Sequence, residues 1–309
     1  MIKGLLPSRV RTSKLAQQAY RFIRMQRLFK LGERGFPKKM IPILEHYIAC
    51  TNDSDTLSVI GAAERRRQAL FALGKKEVPI WFSPKPGSAG LETGIDARPN
   101  PGKALSFTME QIALTGKNQI WATVLYMIAK EFGVTTILEL GTCAGISALY
   151  LSAAPQVKQL LTVEGSSALA EIARESLKDR KNTSVINCMF DQAFDEVLPS
   201  INWKLDLAYI DGHHEKTATI HYFNRVLPFM NVDSDSSVVI FDDISWSYDM
   251  RDAWKQLSMR SEFAHSIDMG EIGVCILRKQ GSPETRPQVW DAQPLVGRHP
   301  IGDPDGWKD

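Results

Sequence analysis

The chain has 309 residues, 44% hydrophobic and 23% charged, with four cysteines and a formal net charge of +2. That length and apolar content allow a full buried core, one large domain with an appendage, and no apolar run reaches membrane-spanning length. Cys50, Cys143, Cys188 and Cys275 form no C-x-x-C pair and lie far apart, which argues against a disulfide framework or a zinc site and fits a reducing, cytoplasmic setting.

The charge is unevenly spread. Residues 1–40 hold eleven Lys or Arg against Glu33 alone, a net +10, and the remainder carries −8. Within that segment Leu15, Ala19, Phe22, Ile23 and Phe29 recur near helical spacing, so a basic amphipathic helix is expected over residues 9–31. Three uses fit such a helix besides packing on its own domain: an anionic membrane surface, RNA, or an organelle presequence rich in Arg and poor in acid. Further helices are expected at 38–50 and 55–74. The prolines and glycines from Pro79 to Lys103 read as a long, lid-like loop, so residues 1–115 form a basic helical extension.

Strand and helix patterns then alternate from residue 116 to 280. Strands are expected at 135–141, 159–164, 184–189, 205–211, 237–242, 264–269 and 272–278, the last two forming a hairpin around Gly270 and Glu271. Helices are expected at 118–131, 146–153, 167–180, 217–229 and 248–259. This alternation gives an α/β, Rossmann-like parallel sheet covered on both faces, with every strand's C-terminal end on one edge. Residues 281–309 contain five prolines and four glycines without hydrophobic period and read as an extended or disordered tail.

The segment Thr136-Ile-Leu-Glu-Leu-Gly-Thr-Cys-Ala-Gly-Ile-Ser147 reads as strand, glycine turn, helix. Gly141 and Gly145 would let backbone approach a ligand that any side chain would exclude. Glu164, about 20 residues beyond the turn and at the tip of the next strand, is placed to accept hydrogen bonds from a ribose diol. A nicotinamide dehydrogenase would show G-x-G-x-x-G, whereas the spacing here is Gly-x-x-x-Gly. Glu139 would repel a pyrophosphate and favour the positive charge of S-adenosylmethionine. Cys143, inside the turn, is expected to be a small packing residue near the cofactor.

Downstream, LDLAYIDGHH ends at Asp211 and two histidines, and SVVIFDDIS ends at Asp242 and Asp243. The ordered set ILELGTCAGIS, LLTVEG, LDLAYIDGHH, VVIFDDI resembles the class I S-adenosylmethionine-dependent methyltransferases, closest to the metal-dependent branch typified by catechol O-methyltransferase. The resemblance covers about residues 116–280. It implies a sheet of about seven strands with the last antiparallel, and a cofactor site drawn from Glu139, Gly141, Cys143, Gly145, Ser147, Glu164, Gly165, Ala193, Phe194 and Asp211. In it Phe194, in the segment Met189 to Asp195, would stack on adenine. Gly116-Lys-Asn-Gln119 resembles the family's segment where cofactor and substrate loops meet.

Asp211, Asp242 and Asp243 should converge on the active edge, and their mutual repulsion calls for a cation. Oxygen-only ligands suit magnesium or another hard divalent ion able to acidify a substrate hydroxyl, and the resemblance assigns the metal to the same three residues, with Asp243 in place of its usual amide. His214 stands three residues after Asp211, at the family's lysine position, and is expected to act with Asp211 as general base. The expected function is O-methylation of a small-molecule hydroxyl with metal assistance. Alternatives are a nicotinamide-dependent oxidoreductase, an RNA-directed methyltransferase and a cofactor-binding module without catalysis. The identity of the acceptor and the oligomeric state are not legible, although Trp246 and Tyr248 point to a flat or apolar acceptor.

Overall fold

The computed structural model describes residues 14–80, 105–234, 236–283 and 285–297. Residues 1–13, most of the lid-like loop and residues 298–309 lie outside the described residues. Three helices come first: α1 (Lys14–Glu33), α2 (Met40–Ala49) and α3 (Ser54–Phe71). Strand β1 (Glu77–Ile80) pairs antiparallel with β2 (Leu105–Thr108), so the first two residues of the expected loop, Pro79 and Ile80, are strand. Helix α4 (Met109–Thr115) follows, opened by a reciprocal capping box between Thr108 and Gln111.

The core alternates as expected. Helix α5 (Gln119–Phe132) is capped by Asn118, whose side chain accepts from the Trp121 N–H, and stops at Gly133 in the left-handed region. Then come β3 (Thr136–Leu140), α6 (Ile146–Leu151), β4 (Gln159–Glu164), α7 (Ser167–Leu177) and β5 (Thr183–Asn187). After short helical turns over residues 190–200 follow β6 (Leu207–Ile210), α8 (Lys216–Val226), β7 (Val238–Phe241), α9 (Tyr248–Leu257), β8 (Phe263–Asp268) and β9 (Gly273–Leu277).

One sheet holds these strands in the order β5-β4-β3-β6-β7-β9-β8, parallel except for β9, which runs antiparallel to both neighbours. Its strands are apolar at nearly every position because both faces are covered. Ile137, Leu207, Tyr209, Val238 and Ile240 share one buried cluster with Leu28 of α1, Met40 of α2, Ile60 of α3 and Trp121 of α5. Leu138, Leu140, Ala208, Ile210, Val239 and Phe241 lie in the other, beneath Phe223 of α8 and Trp254 of α9. The N-terminal helices therefore roof one face of the sheet.

Two expectations are corrected. The first is the tail: Gln288–Asp291 form an eighth strand, β10, parallel to β8, followed by a helical turn, α10 (Gln293–Val296). Trp290, Leu295 and Val296 are buried, with Trp290 edge-on to Phe36 at 5.3 Å and the Tyr47 hydroxyl donating to the Val296 carbonyl at 2.9 Å. The second is the face of α1. Leu28 is its fully buried residue, flanked by the part-buried Tyr20, Arg24, Met25 and Leu31, whereas Ala19, Phe22, Ile23 and Phe29 are exposed. The Arg24 guanidinium lies over the Tyr20 and Tyr47 rings at 5.3 and 5.6 Å, so a cation with an apolar stem packs inward and the apolar stripe of the sequence faces out.

Candidate active site

From β3 the chain winds outward to β5 and then returns to β6 on the other side of β3, so the strand order reverses between β3 and β6. At such a switch point the loops part and leave a crevice at the strands' C-terminal ends. Gly141 sits at this point with φ +101, and a Cβ there would lie 1.8 Å from the Asp211 carbonyl oxygen. Its glycine is thus demanded by the neighbouring chain, whose Asp211 N–H donates to the Leu140 carbonyl at 2.9 Å. Gly145, φ +81, has its Cβ direction 3.2 Å from Leu177 of α7, so its missing side chain makes room for that helix. Cys143 lies between the two glycines with φ +48, and burial pushes its thiol up to about 12, which suits an inert packing residue.

That left-handed Cys143 turns its N–H onto Glu164, at 2.9 Å from Oε2, while Oε1 accepts from the Ser166 N–H at 2.9 Å. Glu164 at the tip of β4 thereby closes over the glycine turn. Gly165, next to it, has a Cβ direction 3.0 Å from the Met189 sulfur. Glu139 is fully buried in β3; burial raises its pKa to about 7 against the pull of Ser147 and Thr162. The Thr162 hydroxyl donates to its Oε2 at 2.5 Å and stands 2.5 Å from the Thr142 hydroxyl, but Glu139 Oε1 is buried with no hydrogen-bond partner. Such an orphaned oxygen beside the turn is the kind of atom a bound ligand satisfies.

Phe194 does not reach the edge. It is 2% exposed, stacked against Tyr222 at 6.4 Å with the Arg225 guanidinium at 5.3 Å, so its ring is a core aromatic beneath α8 and has no face left for adenine. Ala193 is likewise fully buried. Phe190, four residues earlier and half-buried, is the aromatic that borders the switch point: a Cβ on Gly212 would meet its ring at 2.7 Å.

The three acids do converge, at the ends of β6 and β7, and a cation stands among them. It is Lys117. Its Nζ lies 2.7 Å from Asp242 Oδ2, 3.0 Å from Glu271 Oε1 and 3.5 Å from Asp243 Oδ1. Burial opposes its charge, but Asp242, Asp243, Asp211 and Glu271 outweigh that and hold its pKa well above the ordinary lysine value. Burial and then the neighbouring Asp211 push Asp242 well above the carboxylate range, and burial also raises Asp211, which accepts from the Tyr209 hydroxyl at 3.0 Å.

His214 faces the same cluster, with Nε2 at 3.6 Å from Asp211 Oδ1, Nδ1 at 3.7 Å from Asp243 Oδ2, and its ring 6.1 Å from that of the exposed Trp246. His213 turns the other way. It stacks on Tyr222, takes that residue's hydroxyl at Nδ1, and burial lowers its pKa to about 4.

The expected magnesium site does not fit this arrangement. Asp242 Oδ2 and Asp243 Oδ1 already face an ammonium, and among the described residues no group of three or more His, Cys, Asp or Glu side chains is arranged to hold a metal ion. Lys117 and Glu271 are the residues that sequence reasoning missed as a pair. One signal was available: a helix leading into a parallel strand begins at that strand's C-terminal edge, so the residue before the α5 cap had to lie beside the acids. The turn between β8 and β9 returns to the same edge.

Residues 138–244 match the family model described as "Methyltransferase domain". No curated protein matches the chain. Among solved structures, the O-methyltransferase from Bacillus cereus in complex with SAH is similar at 17% identity, covering 52% of this chain and 82% of that one with a TM-score of 0.43. TomG from Streptomyces achromogenes, an O-methyltransferase involved in tomaymycin synthesis and solved with SAM, is similar at 19%, covering 53% and 82% with a TM-score of 0.45. SAH-bound methyltransferase PaMTH1 from Podospora anserina is similar at 16%, covering 54% and 82% with a TM-score of 0.44. The family match therefore identifies residues 138–244 as a methyltransferase domain, which lies on a Rossmann-like sheet with its glycine turn at the switch point.

Proposed function

We propose that the chain moves the methyl group of S-adenosylmethionine to a hydroxyl oxygen of a small molecule, with His214 receiving the hydroxyl proton. The observation that carries the reading is the meeting, on one sheet edge, of the Glu164-closed glycine turn with His214 and its two aspartates. Glu164 would hold the ribose, since each carboxylate oxygen has a lone pair beyond the one spent on a backbone N–H, and Glu139 Oε1 would take a cationic group. When bound there, the cofactor supplies a methyl carbon on a positively charged sulfur. The protein's share is then alignment and proton removal, with Asp211 and Asp243 orienting the His214 ring. Trp246 beside His214 and the exposed Tyr248 favour a flat acceptor.

A dinucleotide would bring a pyrophosphate against the buried Glu139 and the half-buried Glu164, which disfavours the oxidoreductase alternative. Calorimetry tests the choice. S-adenosylmethionine and S-adenosylhomocysteine should bind and NAD should not, and Glu164→Ala should weaken binding by about 1 to 3 kcal/mol. Binding unchanged in that variant would remove Glu164 from the ribose.

A second proposal concerns α1. Its exposed Phe22, Ile23 and Phe29, interleaved with Arg21, Arg27 and Lys30, support docking on an anionic membrane surface.

A further inference from the structure

The loop that carries Lys117 is built to hold it in place. Arg67 of α3 sends Nη1 to the carbonyls of Ala113 and Gly116 at 2.9 and 3.0 Å and Nη2 to that of Lys117 at 2.5 Å. Its Nε pairs with Glu64, whose other oxygen accepts from the Tyr150 hydroxyl. On the far side Asn118 caps α5. A lysine left on a free loop would keep its ammonium in water, because ordering a long side chain costs entropy and burying its charge costs solvation. Here the backbone is pinned on both sides, the side chain is 7% exposed, and the ammonium ends on Asp242, Glu271 and Asp243. Beside it Asp242 Oδ1 is buried with no donor in reach.

We infer that Lys117 is the resident cation of the active edge, a fixed ammonium that takes the carboxylate oxygens a divalent ion would need and leaves the edge without a metal. This rests on the reading above that the Asp211 and His214 edge is where the acceptor binds. A divalent ion on Asp242 Oδ2 would sit about 2 Å from that oxygen, against an ammonium nitrogen 2.7 Å from the same atom. Two positive charges at that separation repel strongly, and the ammonium cannot diffuse away because its backbone is tied. The field of Lys117 falls on His214 and on the acceptor oxygen without ligand exchange, while Asp211 and Asp243 remain to balance the cationic sulfur of the cofactor.

The test is a titration of the full-length protein with Mn²⁺ followed by electron paramagnetic resonance. The unaltered protein should take up no stoichiometric Mn²⁺ at millimolar concentration. Lys117→Met, shown folded by its near-UV circular dichroism, should gain one equivalent bound at least about tenfold more tightly, and Asp243→Asn added to it should remove that gain. One equivalent bound by the unaltered protein and lost in Asp243→Asn overturns the inference, and that arm holds even if Lys117→Met does not fold. A folded Lys117→Met that gains no Mn²⁺ overturns it as well. S-adenosylmethionine binding, measured on the same preparation, reports on the methyltransferase reading separately.

Discussion

A single methyl group added at Gly141 would have to occupy space already held by the Asp211 carbonyl, 1.8 Å away, in a backbone conformation that L side chains rarely adopt. The two strand ends that meet there carry Glu139 on one side and Asp211 on the other, so separating them would spoil turn and acid cluster together. Gly141→Ala should cost about 3 kcal/mol or more in denaturant unfolding and weaken S-adenosylmethionine binding. An unfolding midpoint equal to that of the unaltered protein would show that β3 and β6 can part cheaply.

The adjacent histidines face different surroundings, His213 against Tyr222 and His214 against Asp211 and Asp243. His213 is held neutral by burial, with its pKa lowered from 6.5 to about 4. The unfolded chain therefore takes up the proton first, so the stabilisation is complete above about pH 6.5 and is lost as the pH falls towards 4, by up to about 3 kcal/mol. Unfolding measured at about pH 7 and pH 5 should show that fall, and His213→Gln should flatten it. His214→Ala should instead lower turnover roughly 10² to 10⁴-fold with cofactor affinity nearly unchanged. If His213→Gln is the more damaging change in turnover, the base is misassigned.

Among the elements, α1 departs furthest from its sequence pattern. Periodicity grouped Phe22, Ile23 and Phe29 on one face without choosing what that face meets; the helix buries Leu28 and docks Arg24 over two tyrosines, leaving those apolar residues among arginines on the outside. Apolar spacing alone could not choose between the two faces, because an arginine stem can be buried once aromatic rings and neighbouring helices receive it. Full-length protein should bind vesicles rich in phosphatidylserine at low salt, and Phe22→Ser with Phe29→Ser should reduce that binding at least about tenfold. Equal binding to neutral and anionic vesicles, or none at low salt, would leave α1 as a roof helix alone. The core elements, by contrast, were legible to within about three residues at each end: an apolar run of four to six residues between glycine, proline or polar turns reads as a buried strand when helices alternate with it.

Across the whole molecule, the first and last described segments hold each other. Trp290 of β10 packs on Phe36, donates to His265 at 3.3 Å, and brings α10 against α1 and α2. Trp290→Ala should cost about 3 kcal/mol in denaturant unfolding and shift a single cooperative transition. A separate early transition would mean that the N-terminal roof and the sheet unfold independently.

The amino-acid order by itself determined the alternating sheet, the glycine turn, the acid at the tip of β4 and the three acids with His214 on one edge. These are local patterns, since strand periodicity and the right-handed crossover leave little choice about which ends face together. Only the tertiary structure decided what those residues meet. Gly141 is glycine because β6 passes beside it, Phe194 is covered because α8 lies over it, and residues 288–296 become strand and helix because β8 offers an open edge and the N-terminal helices an apolar floor. The cation among the acids likewise comes from a loop 125 residues before Asp242. Charge repulsion in the sequence demands a counter-ion, but whether that ion is bound or built in depends on which side chain the fold brings within 3 Å.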